Sequence, residues 1–299
     1  MTRARDISDQ QDNSGGVVAP IVSGKNMLIN GGFDIWQRGT SFPTQSVYTA
    51  DRWYNTQSGN ITGTQQTSGA PDGSRYFFRQ TATSTSGYYT MAQVVETANA
   101  SQMWGKTVTF SVKLKRNSTF NAGIFIEIAK NPAVDATPAT TWNAITSLNI
   151  SAAEISTSSW TTFSITAAIP NDGTANSIRV TQAYGTNPAN GSILDCAQFQ
   201  LELGSVATPF SRAGGSIGGE LALCQRYYYR LNWDALSNYQ IFGQGGANST
   251  TQARTIVPFG TQLRVKPTAI DYPTVATYFT VIDYADAGQA ATAVSIDTN

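Results

Sequence analysis

The sequence predicts an all-β protein, a jelly-roll β-sandwich with an extended N-terminal arm, a short connecting helix and a smaller C-terminal β-domain. Three observations carry that expectation. Aromatic residues are plentiful (13 Tyr, 13 Phe, 6 Trp) while only 13% of residues are charged, and aromatic and β-branched side chains suit a pleated, half-buried surface. Several segments alternate apolar and polar residues with a period of two, the signature of a strand with one buried face. Turn clusters rich in Gly, Asn, Asp and Pro recur between them, with almost no helical periodicity, which points to a sandwich.

The elements follow in order. Residues 1–25 are polar and aperiodic, with Arg3, Arg5 and Asp6 of mixed sign. Such an arm cannot bury enough apolar surface to fold alone. It reads as a disordered leader or as a peptide that docks onto a larger assembly. Met27-Leu28-Ile29 then runs into the turn signal Asn30-Gly31-Gly32. Phe33, Ile35, Trp36 and Trp53 are expected in a core edge, with Asp51 and Arg52 as an ion pair beneath aromatic cover.

Candidate strands are 74–81, 88–95, 106–115, 122–129, 160–168, 176–184 and 192–203. The clearest is KTVTFSVKLK, in which Val108, Phe110, Val112 and Leu114 share one face. In AGIFIEIA, Ile124, Ile126 and Ile128 do the same. About eight strands in two sheets make the jelly roll the natural arrangement. The sandwich is placed at 26–212.

Residues 213–230 are expected to form a glycine joint and a short helix, with Leu221, Cys224 and Tyr228 on one face at i, i+3 and i+7. Residues 231–299 return to strand patterns in SNYQIFGQG, TQARTIVPFGTQLRVKPTAIDY, TYFTVIDYA and ATAVSIDT. Pro258, Pro267 and Pro273 confine parts of these to edges or turns. The pattern stops in mid-strand at Asn299, which reads either as a truncated end or as a short native one. So small a β-segment leaves much surface to cover by docking.

Composition also excludes functions. The formal net charge is zero and no basic run occurs, so nucleic acid is not an expected partner. Histidine is absent, which removes Ser-His-Asp triads, His-ligated zinc and histidine acid–base chemistry. Cys196 and Cys224 fall outside any CxxC spacing; they are either two buried free thiols or one bridge. The first residues lack the apolar stretch of a signal peptide, and no apolar run approaches the roughly 18 residues of a membrane span. Synthesis in a cytoplasm without membrane insertion is therefore expected.

The segment NGGFDIWQRG at 30–39, followed by YTADRWY at 48–54, resembles the opening of a widespread group of tailed-phage structural proteins. These are tail-fibre or other appendage proteins with a carbohydrate-binding-module-like jelly roll. QLELGSVATPF at 200–210, followed by ELALCQRYY at 220–228, is similar to that group's second hallmark. The glycine-rich Ala213-Gly214-Gly215 departs from the more charged connection expected there. The resemblance implies a non-enzymatic virion protein that docks to other virion proteins through residues 1–25, self-associates as a homotrimer and contributes to attachment to host-surface glycan. A capsid-decorating or head-fibre protein without a receptor role is the alternative, and a glycan depolymerase is the third reading.

For glycan contact the candidates are Tyr88, Tyr89, Trp104, Trp142 and Tyr184, because each lies near a turn or strand end and an aromatic face can serve as a platform for a sugar. The resemblance also implies a structural calcium between the N-terminal turn and the last strand, with Asp34 and Asp195 as hard oxygen ligands; no other cofactor is expected. For hydrolysis Glu96, Glu127, Glu154, Asp172, Glu202 and Glu220 are available, but no spacing singles out a catalytic pair.

Overall fold

The computed structural model describes residues 24–43, 46–185, 187–231, 243–249, 251–267, 269–270, 280–282 and 288–290. The chain divides into two compact units, Met1–Cys224 and Gln225–Asn299. The arm at 1–23 lies outside the described residues, as do most of SNYQIFGQG and TYFTVIDYA and all of ATAVSIDT.

The first unit is the predicted jelly-roll sandwich. Its strands are β1 (Ser41–Phe42), β2 (Tyr54–Gln66), β3 (Phe77–Val95), β4 (Thr107–Arg116), β5 (Ile124–Asn131), β6 (Asn143–Ile150), β7 (Thr161–Ala168), β8 (Ser177–Tyr184) and β9 (Ile193–Leu203). All pairings are antiparallel. The front sheet runs β6-β5-β8-β3-β2 and the back sheet β7-β4-β9-β3-β2-β1.

The hairpin of β2 and β3 belongs to both sheets. Phe78–Thr81 pair with β9 at the back, and Tyr89–Val95 pair with β8 at the front. The change of partner falls in the small, polar run at 82–87, and β2 carries an irregularity opposite it, between Gly59 and Ile61. That run read as a turn separating two short strands. In the structure it is a corner, where one strand switches sheets.

The two inner faces meet in a core of Ile61, Phe78, Tyr89, Met91, Val108, Phe110, Val112, Leu114, Ile126, Ile128, Val180, Leu194 and Leu201, all buried. In β9 the apolar parity slips: Leu194 and Cys196 face inward, then Phe199 and Leu201 do. The slip is a bulge at Gln198, whose φ is +52°; its side chain is held by Asp72 O and Ser74 Oγ. An extra residue in one strand reverses which side chains face the core.

The N-terminal motif closes one end of the sandwich. Phe33 packs on Trp53, Phe78 and Phe199 with ring centroids 5.3–5.7 Å apart. Asn30 sits at φ +59°, its Oδ1 accepting from Ile35 N and its Nδ2 donating to Ile35 O and Asp51 O. Trp53 Nε1 donates to Asn30 O at 2.9 Å. Asp51 is not paired with Arg52. Its carboxylate accepts from Gln37 and lies 3.8 Å from Arg38, while Arg52 donates to Val94 O.

Among the described residues two short α-helices occur, α1 (Thr97–Ala100) and α2 (Ile217–Gln225). Sequence periodicity put Leu221, Cys224 and Tyr228 on the packed face of the second. The buried residues are Glu220 and Cys224, and Tyr228 lies beyond the helix end. Glu220 decides the rotation, because its carboxylate accepts from Asn30 N at 2.6 Å and Gly214 N at 2.8 Å. Gly214 is packed tightly: a Cβ there would overlap the backbone of Gly219. The glycine pair is thus a close backbone crossing. Cys196 and Cys224 are both free and buried.

Among its described residues the second unit has two antiparallel hairpins, β10 (Gln244–Ser249) with β11 (Gln252–Ile256), and β12 (Thr280–Ile282) with β13 (Gly288–Ala290). Among the described residues no helix is long and apolar enough to cross a membrane.

Candidate functional site

The outward side of the front sheet is the most site-like surface. Alternation puts one set of β8 residues (Ile178, Val180) in the core and the other (Arg179, Thr181, Ala183) outward. Register then fixes their neighbours. One row crosses the sheet as Tyr54, Ala92, Thr181, Glu127 and Ser147. The next runs Thr56, Thr90, Ala183, Phe125 and Asn149. Five strands span roughly 19 Å, four spacings of about 4.8 Å.

The middle of this face is low. Ala92, Thr181 and Ala183 are only 6%, 4% and 3% exposed although they face away from the core. Larger side chains stand on either side: Tyr54 on β2 and Phe125 and Glu127 on β5. The result is a trough with a floor of small residues.

One end is walled by the β5–β6 connection. Ala136 N donates to Ser177 Oγ, which donates to Ala133 O, and Asn176 Nδ2 donates to Pro132 O. Asp135 and Thr97 exchange backbone-to-side-chain hydrogen bonds at 3.0 Å. This wall sets Trp142, whose Nε1 donates to Thr137 O at 3.2 Å. The Arg179 guanidinium lies 5.1 Å from the Trp142 ring centroid, a cation–π distance. Its Nη2 donates to Glu127 Oε1 at 3.1 Å. Burial pulls the Arg179 pKa down, and the Glu127 hydrogen bond and charge oppose that. Arg179 Nε and Thr181 Oγ1 are shielded from solvent and make no hydrogen bond.

At the opposite end the trough shares Phe125 and Asn149 with an open pocket of about 450 Å³ whose other lining includes Gly123, Gly185, Ser151 and Glu154. Gly185 N donates to Gly123 O at 2.8 Å. A Cβ on Gly185 would come within 2.5 Å of that oxygen, so only glycine permits this flat backbone floor. Glu154 Oε2 accepts from both the N and Oγ of Ser151 at 2.7 Å, which lowers its pKa and keeps an exposed carboxylate ionised at the rim.

The structure sorts the predicted aromatics by strand parity. Trp142 stands on the trough and Tyr88 shares its face. Tyr89 and Tyr184 do not: both are fully buried in the core, where loss of solvent raises the phenol pKa, for Tyr184 to about 12. Nearness to a turn is a poor guide because the inward parity of a strand persists to its last residue. Trp104 is half-buried at the sandwich end, its Nε1 donating to Ala175 O at 2.7 Å. Sequence reasoning missed Arg179 and Thr181 as site residues and left Glu127 unassigned. The alternation of NSIRVTQAY and IFIEIA was enough to turn all three outward, but their pairing needed the register.

The calcium residues do not fit a calcium site. Asp34 is bound by Arg212, with Nε to Oδ2 at 2.8 Å. Asp195 takes two hydrogen bonds from Arg79, at 2.7 and 3.0 Å, and lies 3.8 Å from Lys115. Each carboxylate already faces guanidinium, and a cation placed there would meet like charge. Among the described residues no group of three or more Cys, Asp or Glu could hold a metal ion. The other carboxylates also have structural partners: Glu202 accepts from Gln200 and from Thr208 N and Oγ1, and Asp172 accepts from Thr174.

No family model matches the chain, and no curated protein matches it. Among solved structures it is similar to the enzymatically active domain of tailspike protein 4 from bacteriophage CBA120, at 13% identity and TM-score 0.40, covering 60% of this chain and 21% of that one. It is similar to TmCBM61, solved with β-1,4-galactotriose, at 14% identity and TM-score 0.39, covering 60% and 99%. The CBM22-1 xylan-binding domain of Paenibacillus barcinonensis Xyn10C follows at 14% identity and TM-score 0.36, covering 62% and 98%.

Proposed function

We propose that this chain is a structural protein of a phage virion, a tail fibre or other appendage, whose sandwich binds host-surface glycan in the front-sheet trough. The observation that carries the reading is the group formed by Trp142, Arg179, Glu127 and Thr181. A pyranose offers an apolar face and a rim of hydroxyls. The indole supplies an apolar platform. Glu127 accepts from hydroxyls, the Arg179 guanidinium donates to them, and Thr181 keeps the floor between them low, so one short stretch of trough matches both chemistries. The motifs at 30–39, 48–54 and 200–210 support the virion assignment by resemblance. The reading is one of binding, with Glu127, held by Arg179 through Oε1, serving as a hydrogen-bond acceptor. Weak sites repeated on one particle would give adhesion through avidity.

The test is binding of the full chain, displayed in multiple copies, to an array of host envelope glycans. Binding by the native chain, lost in Trp142→Ala and in Arg179→Ala but kept in Trp104→Ala, is the expected result. Retention of full binding by both trough variants would move the site elsewhere.

A further inference from the structure

The outer face of the back sheet carries a second group of charged and aromatic side chains, away from the trough. Strand parity turns Lys113 and Lys115 of β4, Asp195 of β9, and Phe77 and Arg79 of β3 outward, since Val112, Leu114, Cys196 and Phe78, next to them in sequence, lie in the core. Register sets Lys115, Asp195 and Arg79 side by side across three strands. Phe77 is 1% exposed although it is not part of the core. Its cover is Trp160, edge-on with ring centroids 5.2 Å apart, together with Arg79 and Lys115, each 5.6 Å from its centroid. Lys115 Nζ also lies 4.9 Å from the Trp160 centroid, within cation–π range. The connection at 67–76 borders the group and is tied to it. Gly69 O accepts from Trp160 Nε1 at 3.1 Å, and Asp72 O accepts from Gln198 Nε2 at 2.7 Å.

We propose that this face is a binding site for an acidic sugar, its carboxylate or phosphate set against Arg79, Lys115 and Lys113 and its apolar C–H face against the open part of Trp160. Charge carries the argument. On these strands Arg79, Lys113 and Lys115 stand against the single carboxylate of Asp195, and the bordering connection adds one charge of each sign, Asp72 and Arg75. Arg79 uses Nε and Nη2 on Asp195, which leaves part of its five-donor fork for a ligand. Lys115 stands 3.8 Å from Asp195, beyond hydrogen-bond reach. The Arg79 and Lys115 side chains are 30% and 21% exposed. They are open enough to meet a ligand and dry enough for its charge to count for more than in water. Asp195 holds the guanidinium in place beforehand, so little ordering is left for the ligand to impose. Trp160 favours a sugar over a bare anion, because an indole offers an apolar platform. A neutral chain without a basic run lacks the extended field that a polyanion requires, so a single anionic group is the fitting partner. The site lies on the opposite sheet from the trough, and either can fail without the other.

The experiment is a saturation-transfer NMR titration of the full chain with glucuronate and glucose 6-phosphate as probes and glucose as the neutral control. At least one acidic sugar should bind in preference to glucose, and more weakly as salt is raised; the one that binds tells carboxylate from phosphate. Lys113→Met combined with Lys115→Met should weaken that binding by about tenfold or more, the loss of charge-assisted hydrogen bonds. Trp160→Ala should weaken it too, while Trp142→Ala on the trough keeps it. The lysine variant leaves Arg79 on Asp195, so the sandwich should keep its native far-ultraviolet circular dichroism. Glucose binding as well as the acids, no binding of either acid, or full binding by the lysine variant overturns the proposal. Loss of acid binding in Trp142→Ala overturns it as well, since the acid would then belong to the trough.

Discussion

Replacing Gly31 by alanine should unfasten the N-terminal motif from the closing strand. Gly31 follows Asn30 in the turn, and its own φ is not in the left-handed region, where Asn30 and Phe33 lie at +59° and +55°. Glycine is required there for space. A Cβ at Gly31 would overlap the carbonyl oxygen of Phe199 and lie 3.0 Å from Asn26 Nδ2. That oxygen is backbone, so relief requires the turn and β9 to separate. Separation strains Phe199 N to Gly31 O, at 2.9 Å, and Asn26 Nδ2 to Phe199 O, at 3.1 Å. It also loosens the ring cluster of Phe33, Trp53, Phe110 and Phe199. Overpacking costs about 1–3 kcal/mol, and a lost hydrogen bond about 1 kcal/mol more. The expected total is about 3 kcal/mol, or roughly 6–12 °C in Tm for a unit of this size. Thermal unfolding of the two proteins measures it. A shift within about 1 °C would show that turn and strand do not touch as described, and would remove the steric account of the motif's glycine.

Three further outcomes are expected. Burial raises the folded-state pKa of Glu220 above 4.5, so the native state holds that proton more tightly than the unfolded chain; its stabilising contribution is full below the unfolded value and is lost as pH rises through the folded one. Glu220→Gln lacks this slope and has one carbonyl for two backbone donors, so it should be less stable by about 1–3 kcal/mol, with the gap to the native protein narrowing as pH rises; urea midpoints across pH would expose the opposite trend. Arg212→Met strands the buried Asp34 carboxylate and should cost about 3 kcal/mol, near the lower end for a broken buried pair because Arg212 keeps some solvent contact; an unchanged urea midpoint would contradict the pairing. Thr181→Val deletes a buried hydroxyl that makes no hydrogen bond and should stabilise by about 1 kcal/mol, read as a rise in Tm; an unchanged or lower Tm would contradict the missing partner.

Much of the sandwich was legible as alternation. The segments 106–115, 122–129, 160–168, 176–184 and 192–203 all appear as strands within two residues of their expected ends. Three features were not legible. β2 (YNTQSGNITGTQQ) and β6 (NAITSLNI) are mostly polar because they lie at or near sheet edges, where burial imposes little pattern. The run at 82–87 carries turn residues, yet it continues as strand because β2 pairs with both its ends, Ile61 with Ala82 and Gly59 with Gly87. The face of α2 was misjudged because a buried carboxylate with two backbone donors outweighs the i, i+3, i+7 apolar pattern.

What the sequence determined by itself was local: which side chains share a face of one strand, where turns interrupt, and which chemistries a chain without histidine lacks. Burial against a period-two backbone writes that information into neighbouring residues. Contacts between distant residues were decided by the tertiary structure. Arg179 meets Glu127 across 52 positions, Asp34 meets Arg212 across 178, and Glu220 reaches back 190 positions to Asn30. Each depends on strand order and register, which arise from the packing of the two inner faces as a whole. The trough exists only once β3, β8 and β5 lie side by side. Tyr89 and Tyr184, aromatic and close to turns, became core because register turned them inward, and Trp142 stayed on the surface where the β5–β6 wall holds it over Arg179.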